Sequence, residues 1–277
     1  MSVSVSRRHF LAAAASGVAA GSALLSSRHV WAAPSSGDLK LGLQMYSLRK
    51  IPVDDALKDA KELGFETIEM YGQMFPVTST DDQIKEMLAK IDDLGLKLLA
   101  HGVNPFTKDH EKNRATFEFA RKAGIPNITA DPTPEAFDSL DKLVAEYDIR
   151  IAIHNHGPKH RYNKVTDVLN AIKDHDTRIG ACADLGHYIR SGEDPVEVIR
   201  SLQGRLYGVH LKDFAEMQDK THGVILGKGH LDVPAVFAAM RAVQFPSNGA
   251  MSLEYEEHPE DPIDEIRQCV AVAKAAM

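Results

Sequence analysis

Three stretches of the chain repeat one pattern. KELGFETIEM, DDLGLKLLA and RKAGIPNIT each run from a polar helix end through a glycine, at 64, 95 and 124, into an apolar strand. Glycine just past a helix takes the left-handed backbone conformation at no steric cost, which is what a helix turning into a strand needs. The glycines stand 31 and 29 residues apart, room for one strand, one helix and two short loops. A chain made of such units alternates strand and helix, and alternation leads to a parallel sheet covered by helices.

The rest of the chain keeps the rhythm. Apolar strand patterns fall near residues 40–46, 66–71, 97–102, 127–131, 150–155, 179–184, 206–212 and 250–255. Helical periodicity fills 53–63, 81–94, 109–123, 134–147, 165–174, 194–202, 233–243 and 263–275. Several helices open on a cap residue followed by proline, as in Thr133-Pro134-Glu135 and Asp194-Pro195. Eight units predict an α/β fold, a single (β/α)8 TIM barrel over residues 38–277. A doubly wound open sheet is the alternative. It would more often carry a glycine-rich phosphate turn after its first strand, and GLQMYSLRK has none. No Pro/Gly/Ser-rich linker or charge run divides the segment, so it reads as one domain.

Ahead of it, Ser6-Arg7-Arg8-His9-Phe10-Leu11 and the Ala/Gly/Leu stretch that follows match a twin-arginine signal peptide over residues 1–32, with cleavage expected after Ala32. The apolar stretch is interrupted by Ser and Gly and is short for a membrane span of ~20 residues, so no stable membrane anchor is expected. The expected location is the periplasm, or export by the same route elsewhere, and such export usually follows folding, often around a metal. The 277-residue chain carries a formal charge of −7, and the leader takes away three arginines and no acid, leaving −10. An acidic surface disfavours nucleic acid and anionic membranes as partners. Two cysteines, Cys182 and Cys269, allow one disulfide but make no framework. Whether they pair, and whether the chain forms a homo-oligomer, stay open.

In a parallel barrel the working face is at the carboxyl ends of the strands. The eight predicted strands end on Gln44, Glu69, His101, Asp131, His154, Asp184, His210 and Glu254, all polar or ionisable. So many polar groups at one mouth are costly unless something binds there. Three segments stand out: CADLGHY, with Asp184 and His187 three apart across a strand end; VHLKD, with His210 ahead of Lys212 and Asp213; and MSLEYE, with Glu254 on the same side as Ser252.

These elements, with the opening GLQMYSLR, the late LGKGHLDVPAV and the terminal Ser-Leu-Glu at 252–254, resemble the xylose isomerase-like superfamily, which holds sugar isomerases and epimerases, inosose dehydratases and endonuclease IV-type repair enzymes. The resemblance covers essentially the whole segment after the leader. It implies one divalent metal ion held by His154, Asp184, His210 and Glu254 from the fifth to eighth strands. Here the sequence departs from the epimerases, whose fifth-strand ligand is Glu. The resemblance also implies that His187 contacts a substrate oxygen. His156 joins Glu254 and His187 as a catalytic candidate, and His101, Glu69, Lys212 and Asn155 are candidate substrate-binding residues.

Two imidazoles and two carboxylates suit Mn, Zn, Co or Fe(II) better than Mg or Ca. The metal would polarise a sugar carbonyl and stabilise the enediolate formed when the neighbouring C–H loses its proton. With one of the epimerase pair of glutamates replaced by His154, inversion by two opposed bases is disfavoured. A single base with a nearby acid fits elimination from a keto-sugar or keto-glycoside, a lyase or dehydratase, with isomerisation or epimerisation the nearest relative. Two other readings are an endonuclease IV-like phosphodiesterase, which needs three zinc ions and further histidines such as His101, His187 and His230, and a non-catalytic sugar-binding barrel.

Overall fold

The structure is a computed structural model and describes residues 39–277, so the leader expected at residues 1–32 lies outside the described residues. Strands β1 (Gly42–Gln44), β2 (Thr67–Met70), β3 (Lys97–Phe106), β4 (Asn127–Pro132), β5 (Arg150–His154), β6 (Ile179–Asp184) and β7 (Leu206–Leu211) are joined by two short strands, β8 (Asp213–Phe214) and β9 (Gly223–Val224), and by β10 (Ala250–Leu253). All but β8 and β9 pair in parallel and close into an eight-stranded ring ordered β1-β10-β7-β6-β5-β4-β3-β2. The outer layer is α1 (Val53–Glu62), α2 (Asp81–Asp93), α3 (His110–Lys122), α4 (Phe137–Tyr147), α5 (Val165–Ile172), α6 (Leu185–Arg190), α7 (Pro195–Ser201), α8 (Val233–Ala242) and α9 (Ile263–Ala276). The expected (β/α)8 TIM barrel is what the chain forms.

The repeated glycines do the work assigned to them: Gly64, Gly95 and Gly124 follow α1, α2 and α3 with φ of +86°, +64° and +67°. At the other helix ends, side chains satisfy the free backbone N–H groups. Thr80 and Gln83 form a reciprocal capping box on α2, and Asp109, Asp194 and Asp232 cap α3, α7 and α8. The apolar faces of the helices pack on the outside of the barrel; on α4, Leu140, Leu143 and Val144 are fully buried.

The barrel interior departs from the usual apolar layers. Glu69 on β2 is completely buried, accepting hydrogen bonds from Thr129 Oγ1 (2.5 Å), Ser252 Oγ (3.0 Å) and His210 Nε2 (3.0 Å), on β4, β10 and β7. The register that sets Ser252 beside His210, and His210 beside Asp184, lines these groups up beneath the mouth.

Two elements go beyond the sequence pattern. Helix α6 begins at the end of β6 because the Asp184 side chain caps it, Oδ1 accepting from His187 N at 2.7 Å. The β8–β9 hairpin lies over residues 213–224, in what reads as an open loop. Both are too short for a periodic signal, and each depends on a hydrogen-bond partner rather than on apolar spacing. Both cysteines are free and buried, on β6 and α9. No helix among the described residues is long and apolar enough to cross a membrane.

Candidate metal centre

Four side chains meet at the carboxyl ends of neighbouring strands. His154 ends β5, Asp184 ends β6, His210 lies near the end of β7 and Glu254 follows β10. One ligand atom from each lies within 4.8 Å of all the others, and all four residues are buried. His154 Nε2 is 3.1 Å from His210 Nδ1 and 3.6 Å from Asp184 Oδ2, while Glu254 Oε2 is 3.3 Å from His210 Nδ1.

The donor set fits a divalent ion of the borderline kind. Two imidazole nitrogens and two carboxylate oxygens converge, and Asp184 Oδ2, aimed into the cluster, is a buried acceptor that makes no hydrogen bond, the Lys212 ammonium lying 3.3 Å away as its ion-pair partner. Glu69 supplies the outer support that metal-binding histidines commonly have: its hydrogen bond to His210 Nε2 fixes that nitrogen as the protonated one and turns Nδ1 toward the cluster. Burial pushes the Glu69 carboxyl up, but the His210 ring beside it outweighs that and holds it below the usual carboxylate range. For Glu254, Lys212 and His210 likewise overcome burial and keep the carboxylate ionised.

Beside the cluster lies a cavity of about 210 Å³ lined by His187, Arg190, Lys212, Phe214, Val224 and Glu254 among others. Glu254 thus belongs to the cluster and also faces this cavity. The His187 ring stacks on Phe214 with centroids 6.2 Å apart, and the Arg190 guanidinium lies 5.4 Å from the centroid of that Phe214 ring. Burial pushes His187 down to about 3, with Asp184 opposing, so the imidazole is neutral near pH 7. His156 is likewise pushed down to about 3, by burial and then by His154 and His160. Its ring lies 4.6 Å from that of His154, 4.3 Å from His160 and 5.7 Å from His187.

The other candidates have different placements. Asn155 is fully buried and pairs with the Asp184 backbone, Nδ2 donating to the carbonyl at 2.9 Å and Oδ1 accepting from the N–H at 2.8 Å, so it ties β5 to β6. His101 donates from Nε2 to the Phe75 carbonyl at 2.9 Å and its Nδ1 contacts Asn104 Nδ2 at 3.1 Å, leaving neither nitrogen for a ligand. Glu69 sits under His210 and not in the cavity. Gln44 caps the turn after β1, and Asp131 faces His160 and Arg161 at 3.5 and 3.6 Å. So four of the eight strand-end residues converge on one point. The other four hold local structure or the layer below. Sequence reading missed Thr129, Arg190 and Phe214, and named Ser252 without its bond to Glu69; their partners lie far off in the chain or on another loop.

The comparisons agree with this architecture. A 28% identical stretch of 120 residues, 43% of this chain and 38% of the relative, aligns with an inosose dehydratase of Clostridium botulinum. Another of 175 residues, 25% identical, covers 57% of this chain and 62% of a 3-oxo-isoapionate decarboxylase of Pectobacterium atrosepticum. The matches therefore span less than two thirds of either relative. A crystal structure of an uncharacterized protein from Parabacteroides distasonis superposes with a TM-score of 0.68 at 29% identity, covering 87% of this chain and all of that one. A family model described as the xylose isomerase-like TIM barrel matches residues 57–275, and the chain belongs to that family.

Proposed function

We propose that the protein is a divalent-metal-dependent enzyme acting on a keto-sugar or keto-glycoside through an enediolate, and that its reaction is elimination, as in a lyase or dehydratase. The observation that carries this reading is that Glu254 belongs at once to the buried four-residue cluster and to the wall of the adjoining cavity. The two curated relatives bear the names of a dehydratase and of a 3-oxo acid decarboxylase, two reactions that can share an enol-type intermediate.

His154, Asp184, His210 and Glu254 would hold the ion, which would be Mn, Zn, Co or Fe(II) and would supply polarisation of the substrate carbonyl. The ionised Glu254 takes the proton from the carbon beside that carbonyl. Neutral His187 offers an oriented N–H to a substrate oxygen, and Lys212, which also lines the cavity, is the cationic group that would give a proton to the departing oxygen. A fifth-strand histidine in place of a carboxylate leaves one face of the substrate without an opposed base, which favours elimination over inversion. The histidine-rich three-metal arrangement of a phosphodiesterase is disfavoured by His101, whose ring nitrogens are both engaged. We propose further that the enzyme is exported by the twin-arginine route, on the strength of Arg7-Arg8 and the apolar stretch after them.

The test is NMR in deuterated water, with metal-loaded protein and a panel of keto-sugars and 3-keto-glycosides. Release of a leaving group is expected, together with loss of the proton from the carbon beside the carbonyl. His210→Ala and Glu254→Gln are each expected to abolish both while the circular dichroism of the barrel is kept. Full turnover in Glu254→Gln would remove the proposed base, and deuterium uptake without release would assign isomerisation or epimerisation instead.

A further inference from the structure

Lys212 is only 4% exposed, and its ammonium lies against the acidic half of the cluster. Nζ is 2.7 Å from Glu254 Oε2 and 3.3 Å from Asp184 Oδ2, and it also donates to Glu256 Oε1. The first two oxygens are the very atoms that face His210 Nδ1, at 3.3 and 3.9 Å, and so belong to the ligand set. The placement is built into the fold. A Cβ at Gly186 would come within 2.5 Å of Lys212 Cγ, so the glycine in Asp-Leu-Gly-His makes room for the lysine stem. Glu256 stands on the solvent side, its side chain 40% exposed, against 5% for Lys212 and 9% for Glu254.

Two buried carboxylates a few ångströms apart repel each other and are costly without a cation. An ammonium held against both meets that need, and it also repels any second cation approaching the same oxygens. We propose that Lys212 is a resident counter-charge that competes with the divalent ion for Asp184 Oδ2 and Glu254 Oε2. It keeps the metal-free barrel folded, weakens metal binding, and shifts its hold toward Glu256 when the ion is loaded. Lys212 is thus a positioning residue that tunes loading of the site. The inference rests on the metal-centre reading above.

The experiment is calorimetric titration of metal-stripped protein with Mn²⁺, with thermal melts before and after loading. Lys212→Met keeps an unbranched apolar stem, one atom shorter, and removes the charge. It is expected to bind Mn²⁺ at least about tenfold tighter than the parent, to melt lower when metal-stripped, and to gain more in Tm on loading. Glu256→Gln keeps an acceptor on the solvent side but removes its charge, and is expected to weaken Mn²⁺ binding several-fold. That effect is expected to fade in the Lys212→Met background, because Glu256 acts through the lysine; a direct field effect of Glu256 would persist there. Where Lys212→Met folds poorly without metal, the parent and Glu256→Gln still report, and equal Mn²⁺ affinity of those two then overturns the proposal. Equal or weaker binding by Lys212→Met overturns the proposal and leaves the metal centre standing, provided His210→Ala abolishes binding by the parent. Absence of Mn²⁺ binding in the parent overturns both.

Discussion

The buried carboxylate of Glu69 offers the sharpest test of the layer beneath the site. It is fully buried, and its Oε2 accepts from His210 Nε2 at 3.0 Å. Replacement by glutamine keeps shape and volume. The amide oxygen can still serve His210 and Ser252, and the Thr129 hydroxyl can turn to accept from the new NH₂, so the barrel is expected to fold. What is lost is the charge. A hydrogen bond to an ionised partner contributes about 1.5–3 kcal/mol against about 0.5–1.5 kcal/mol for a neutral one. The difference, about 1–2 kcal/mol, corresponds to roughly 5–30-fold in a dissociation constant, overlapping the lower part of the range of about 10–100-fold seen when outer supports of metal histidines are removed. Calorimetric titration of metal-stripped Glu69→Gln with Mn²⁺ is expected to show that weakening at unchanged stoichiometry. Affinity within twofold of the parent, with His210→Ala unable to bind, would refute the idea that Glu69 acts through His210.

Two further outcomes follow from the described contacts. With both His156 and His187 pushed down to about 3 from an ordinary 6.5, histidine-selective NMR of the metal-free protein is expected to show their rings unchanged between pH 8 and 5. The folded state then binds fewer protons than the unfolded one between these values, so stability is expected to fall as pH drops below about 6.5, and a flat profile there would contradict the burial argument. Asp213 is buried and accepts four backbone N–H groups, from Gly227 and Gly229 on Oδ2 and from His230 and Leu231 on Oδ1, at 2.8–3.0 Å. Asp213→Asn sets an NH₂ against two of those donors and is expected to cost about 3–5 kcal/mol, seen as faster hydrogen exchange at residues 227–231; unchanged exchange would show the loop to be held by other contacts.

Much of the barrel is legible in the sequence because two local signals coincide. Apolar runs mark the strands, and Gly64, Gly95 and Gly124 mark where helices must end. The strand-end residues that converge are legible for the same reason, since the closed ring brings the ends of β5, β6, β7 and β10 to one face. Which polar ends converge is less so. Gln44 and His101 end up serving nearby backbone, which alternation along a strand does not distinguish from facing a ligand. The partners of Glu69 lie 60, 141 and 183 residues away in the chain, so no spacing rule reaches them. Asn155 looks like a pocket amide because it follows His154, yet its side chain imitates a strand partner for Asp184.

Asp184 divides its two oxygens between tasks, Oδ1 starting α6 through His187 N and Oδ2 aiming into the ligand cluster. A longer acid there cannot easily serve both, because one extra methylene moves the carboxylate off the turn it anchors. Residue 184 is therefore tethered by folding as well as by binding. Change at that aspartate would first register as a displaced His187, before any alteration in what the barrel transforms.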